Sequence, residues 1–130
     1  MTQEQINLLL KDISARLPYG VKASTKLGNN IKVSFIGEDT IIGEDGDSYD
    51  ISFITPYLFP LSSMTEEQKE EYTHIVNYIS SDDTDNWKEG EFIYVEQLEQ
   101  LLHFYHKNYL DYRDLISMGL AIDCTNLNIY

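Results

Sequence analysis

The hydrophobic period changes twice along this 130-residue chain, and that limits the architectures open to it. Near the start, Ile6, Leu9, Leu10 and Ile13 recur at i, i+3, i+4 and i+7, and Leu17 extends the stripe. That spacing marks one face of an α-helix. Thr2 with Gln5 is a capping-box pair for its first turn. Pro18 disfavours helical geometry at Leu17, and Gly20 follows, so the helix is expected to stop there.

From Val21 to Ile54 the period falls to two. Val21 to Leu27 is followed by the turn signal Gly28-Asn29-Asn30. Ile31-Lys32-Val33-Ser34-Phe35-Ile36 alternates apolar and polar residues until its last position, as a half-buried strand paired back on the first would. Thr40-Ile41-Ile42 is a short apolar run, and Glu44-Asp45-Gly46-Asp47 is a turn. Tyr49, Ile51 and Phe53 alternate with Asp50, Ser52 and Ile54, which predicts another strand. Thr55 to Leu61 holds Pro56 and Pro60; neither suits a central strand, so the segment reads as an irregular link.

The helical period then returns. Thr65 to Gln68 fits a capping box, ahead of a stripe at Tyr72, Ile75, Val76 and Ile79. Ser80 to Gly90 is polar and acidic, a loop with Trp87 as its anchor. Leu98, Leu101, Leu102 and Tyr105 mark a third helix. Asp111 is placed to cap a short fourth helix through Met118, with Gly119 as its stop and Leu120-Ala121-Ile122 as a last strand. The expected fold is α+β, one domain over residues 1–130. It has an N-terminal helix, an antiparallel sheet of three to five short strands, then two to three helices packed on one face.

Charge excludes several functions. The formal net charge is −13. A nucleic-acid binder needs Lys and Arg to neutralise phosphates, and an anionic membrane surface attracts basic chains, so neither suits this protein. The charge is also uneven. Residues 1–36 carry five cations and two anions, whereas residues 37–130 carry four cations and 20 anions. Glu38, Asp39, Glu44, Asp45, Asp47 and Asp50 fall together without a cation. Asp82, Asp83 and Asp85 open a second acidic stretch beside Trp87. Such stretches form either a solvated face or a recognition surface for a basic partner.

Motifs for catalysis are weak. His103 and His106 stand at i, i+3, without the Cys pairs or intervening Glu of common zinc motifs, and read as surface or boundary residues. Neither acidic loop meets the calcium-loop spacing. There is no Gly-x-Ser-x-Gly elbow and no phosphate loop. No spacing selects a carboxylate pair for glycoside chemistry. The single Cys124 forms no intrachain disulfide, and Met1 to Gln5 has neither the basic nor the apolar region of a signal peptide. A cytoplasmic protein without cofactor or metal is expected. Ten tyrosines, Tyr78, Tyr109 and Tyr112 among them, divide between packing and interface roles.

Three blocks carry a resemblance: Leu17 to Lys22 (LPYGVK), Pro56 to Glu67 (PYLFPLSSMTEE), and Asp111 to Ile116 (DYRDLI) with Gly119 to Ile122 (GLAI). In this order they resemble a family of small uncharacterised proteins of Bacteroidetes bacteria and their phages or mobile elements. The resemblance brings no activity, cofactor or catalytic residue with it. It implies a context in which small acidic proteins act against host defence. The expected function is therefore a non-enzymatic acidic protein-binding module, an anti-CRISPR-like inhibitor occupying the basic nucleic-acid-binding surface of a host protein such as a nuclease. Its expected contacts are Glu38, Asp39, Glu44, Asp45, Asp47, Asp82, Asp83, Asp85 and Trp87. Carboxylates arrayed like phosphates compete for the Lys and Arg of such a surface. The alternatives are a structural or regulatory accessory domain whose charge serves solubility, and a small hydrolase or metal-dependent enzyme.

Overall fold

The computed structural model describes the backbone of residues 1–80 and 87–130, and the side chains of residues 1–77 and 95–130. Helix α1 (Gln3–Arg16) starts on the expected capping box. Thr2 Oγ1 accepts from the Gln5 amide at 3.1 Å, and Gln5 Oε1 accepts from the Thr2 amide at 2.9 Å. A short 3₁₀ turn over Leu17–Tyr19 ends it, and Gly20 takes a left-handed φ of 83°. Leu9 and Ile13 are fully buried against the sheet that follows. Burying each contributes about 1.5–3 kcal/mol.

Strands β1 (Lys22–Thr25), β2 (Asn30–Ile36), β3 (Thr40–Gly43) and β4 (Ser48–Asp50) form an antiparallel meander. Ile31, Val33, Ile41 and Tyr49 turn inward to Leu9 and Ile13 of α1. The predicted strand from Tyr49 to Ile54 is broken: Ile51–Phe53 form a 3₁₀ turn, with the Asp50 carboxylate accepting from the Ser52 amide.

Strand β5 (Ile54–Pro60) corrects the irregular link expected at the two prolines. It pairs with β1 through Ala23 and Pro56. Lys26 N–H donates to Phe53 O, so residues of that parity aim their backbone groups at β1. Pro56 and Pro60 are of the opposite parity, and their missing N–H groups remove no bond to β1. Hydrogen bonding links the strands along the path β4-β3-β2-β1-β5-β6, with β7 also on β5. β6 (Leu110–Asp111) and β7 (Ile122–Asp123) both run parallel to β5, so the sheet is mixed, where an antiparallel one was expected. The helical hairpin between β5 and β6 returns the chain in the same direction, which makes parallel pairing possible. Phe59 N–H donates to Tyr109 O and Leu58 O accepts from Cys124 N–H. Those two groups belong to one trans peptide, so β6 and β7 flank β5 on opposite edges.

Helices α2 (Glu66–Ser80) and α3 (Trp87–Lys107) form that hairpin. Thr65 and Gln68 make the expected reciprocal cap at 3.2 and 2.9 Å. Ile75, Phe104 and Leu110 bury the contact, with Tyr72 and Tyr105 half-buried beside it. α3 begins at Trp87, inside the stretch expected as a loop. The fourth helix is absent. Asp111 belongs to β6 and spends both carboxylate oxygens on the amides of Leu115 and Ile116 at 2.9 Å each. The chain turns rather than winds, yet Gly119 (φ 74°) ends the turn as expected. Its amide bonds Ile116 O, and the Leu120 amide bonds Leu115 O, a Schellman closure. Among the described residues no helix is long and apolar enough to cross a membrane.

Candidate functional site

The acids of residues 37–50 sit on the meander turns. Because β3 is four residues long, the β2–β3 and β3–β4 turns lie at its opposite ends, about 13 Å apart. Glu38, Asp39 and Asp50 gather at one end; Glu44, Asp45 and Asp47 gather at the other.

These acids do different work. Asp45 Oδ1 accepts from the Asp47 amide at 3.0 Å, and Oδ2 from the Tyr49 hydroxyl at 3.2 Å. A Cβ on Gly43 would stand 2.7 Å from Asp45 Oδ1, so only glycine admits the carboxylate there. Glu44 meets Lys32 at 3.4 Å in an exposed pair of little energetic weight. Asp50 Oδ1 accepts from the Ser52 amide and hydroxyl at 2.9 and 2.6 Å. Those bonds, with Lys26 nearby, hold its carboxyl below the usual range. Glu38, Asp39 and Asp47 are exposed, and no side-chain partner meets them among the described residues. Asp82, Asp83 and Asp85 lie outside the described residues, as does the Trp87 side chain.

A β-bulge reorganises the surface between the two turns. The register shifts between Val33↔Gly43 and Phe35↔Ile42, leaving Ser34 as the extra residue. Ser34 Oγ lies 3.3 Å from both the Ile42 and Gly43 carbonyls. Unbroken alternation would place Phe35 inward with Ile31 and Val33. Instead Ile36 pairs with buried Ile41, and Phe35 turns outward beside half-buried Ile42, 59% exposed.

A second cluster, fully polar in origin, is buried where α1 meets α3 and β6. Asp12 and Arg16 have no exposed side-chain surface, and Arg16 Nε meets Asp12 Oδ2 at 2.9 Å. Arg16 Nη2 also donates to Leu110 O at 2.6 Å, and Arg113 Nε reaches Asp12 Oδ1 at 3.2 Å. Arg16 Nη1 makes no hydrogen bond among the described residues; the guanidinium lies over the Tyr112 ring, 5.5 Å from its centroid. Tyr112 Oη accepts from Arg113 Nη2 at 3.1 Å and meets His106 Nε2 at 2.8 Å.

His106 is therefore buried, where a surface or boundary position was expected. Burial first, then the Arg16 charge, pushes its pKa below the usual histidine value. His103 remains exposed and meets Tyr19 Oη through Nδ1 at 2.6 Å. The i, i+4 spacing of Asp12 and Arg16 was visible in the sequence, but nothing there marked the pair as buried. This cluster fastens three elements and turns its charges on one another.

Among the described residues no three His, Cys, Asp or Glu side chains converge as an ion would require. Burial raises the Cys124 thiol to about 11, so it stays protonated and weakly nucleophilic near neutral pH. Compared with known proteins, the chain matches no family model, no curated protein and no solved structure.

Proposed function

We propose that the protein is a non-enzymatic acidic protein-binding module. In this reading it is an anti-defence inhibitor, of the anti-CRISPR kind, that occupies the basic nucleic-acid-binding surface of a host protein. One observation carries it: Glu38, Asp39 and Asp47 stand exposed on short hairpin turns, without a side-chain partner among the described residues, and are fixed at a set spacing by the four residues of β3. Most of the chain's own cations are engaged elsewhere. Arg16 and Arg113 serve Asp12, Lys69 serves Glu66, Lys107 serves Glu71, and Lys22 donates to Ile129 O. The unmatched acids are thus left to attract an outside partner. The resemblance to proteins of phages and mobile elements supports the anti-defence context.

The test is capture from bacterial lysate by the immobilised chain at low and high salt. A basic nucleic-acid-processing protein should bind at low salt and leave at high salt. Glu38→Lys, Asp39→Lys and Asp47→Lys together should abolish its capture, and the captured nuclease should lose activity when the chain is added. Recovery of no basic protein at low salt overturns the reading.

A second reading, an accessory domain whose charge serves solubility, draws on Asp45 and Asp50, which spend their carboxylates on local turns. It predicts that the triple reversal leaves every captured protein unchanged.

A further inference from the structure

From the geometry of the bulge we infer that the outer face of the β2–β3–β4 meander is a docking surface. Its occupant is a basic protein segment that carries an aliphatic side chain next to Arg or Lys. This rests on the acidic-module reading and adds an apolar contact to it. The observation behind it is the bulge at Ser34, which takes Phe35 out of the buried row and sets it beside Ile42 on the side away from α1. An aromatic ring 59% exposed on a paired strand offers contact area at small entropic cost to a partner.

Charge selects the occupant. The next outward pair along the strands is Thr40↔Asp50, and the adjoining turn carries Glu38 and Asp39. At the other end Lys32 is neutralised by Glu44. An apolar pair bordered by three acids repels an anionic lipid surface and an acidic protein. It also disfavours a second copy of this chain, which would bring like charges together. A segment with an aliphatic side chain between Arg or Lys residues satisfies both the ring and the acids. Electrostatic attraction alone fades with salt, whereas the ring contact persists.

The test titrates the ¹⁵N-labelled full chain with two synthetic peptides of equal length and equal Arg content. One has a central leucine and the other a glycine in its place. The backbone signals of Phe35, Ile42 and Asp50 should shift, and the leucine peptide should bind about tenfold more tightly. Phe35→Ala should erase that difference while the remaining spectrum stays native. Equal binding of the two peptides by the wild type overturns the apolar docking and leaves the acidic-module reading standing. Shifts confined to the acids of α2 overturn docking on this face. Failure of both peptides to bind overturns this inference and the acidic-module reading together.

Discussion

Asp12 and Arg16 lie one turn apart on α1 and form an ion pair with no solvent-exposed side-chain surface, at 2.9 Å. The carboxylate also holds Arg113, so one acid serves two guanidinium groups. Removing the acid leaves Arg16 buried without its counter-charge. Asp12→Ala should therefore cost about 3–5 kcal/mol in denaturant unfolding. The double change Asp12→Leu with Arg16→Met removes both charges and should cost less than the single change. A single change below about 1 kcal/mol would contradict this account of the pair.

Stability should fall on both sides of neutrality. The His106 pKa is lowered in the fold by burial and by Arg16, so the unfolded chain binds its proton more readily. Its contribution is fully present above the unfolded value near 6.5 and is lost as pH falls through that value toward the folded one. Burial raises the Tyr105 phenol to about 12 from 10.0. That contribution is present below pH 10 and is lost as pH rises through 10 toward 12. His106→Gln should flatten the acid limb of a melting-temperature profile without altering the alkaline limb.

Gly43 and Asp45 should be coupled. A methyl group at Gly43 displaces the Asp45 carboxylate and breaks its bonds to the Asp47 amide and the Tyr49 hydroxyl. Gly43→Ala should cost about 1–3 kcal/mol. With Asp45→Ala already in place the same change should cost less, and an additive double-mutant cycle would reject the coupling.

The hydroxyl of Tyr130 fills a place between two strands. It accepts from the Lys22 amide at 2.8 Å and lies 2.9 Å from Tyr57 O, while its ring stacks on Tyr109 at 3.7 Å. Tyr130→Phe keeps the stack and loses the bridge, so it should cost about 1 kcal/mol. Tyr130→Ala loses both and should cost more in the same unfolding measurement.

The acids should divide by mutation. Changing Glu38 and Asp47 to their amides should move stability by no more than about 0.5 kcal/mol. Asp45→Ala and Asp50→Ala should each cost about 1 kcal/mol, because their oxygens hold local turns.

The helices were legible because their signals are local. Thr2 with Gln5 and Thr65 with Gln68 lie three residues apart, and the caps they predict are present. The meander turns at Gly28 and Gly46 were legible for the same reason, since both glycines take left-handed φ values. What failed was non-local. Pro56 and Pro60 argue against a strand in isolation, and only the parity set by pairing with β1 makes them harmless there. Asp111 and Gly119 predict a fourth helix, and both do act as end signals, but around a turn. At the candidate site, composition revealed the acids and nothing in it separated Asp45, which is spent internally, from Asp47, whose carboxylate is not. The outward Phe35 depends on a one-residue register shift that alternation cannot announce.

The position of β5 bears on the order in which the chain matures. Its edge partners arrive late: Phe59 pairs with Leu110, 51 residues further along, and Tyr57 with Ile122, 65 residues further along. During synthesis the meander and α1 can assemble from neighbouring segments, while β5 emerges with part of its hydrogen-bonding edge bare. Chain truncated before Leu110 would keep that edge open to foreign strands. In a ribosome-stalled series, the step to protease resistance is expected only after β6 and β7 have left the exit tunnel.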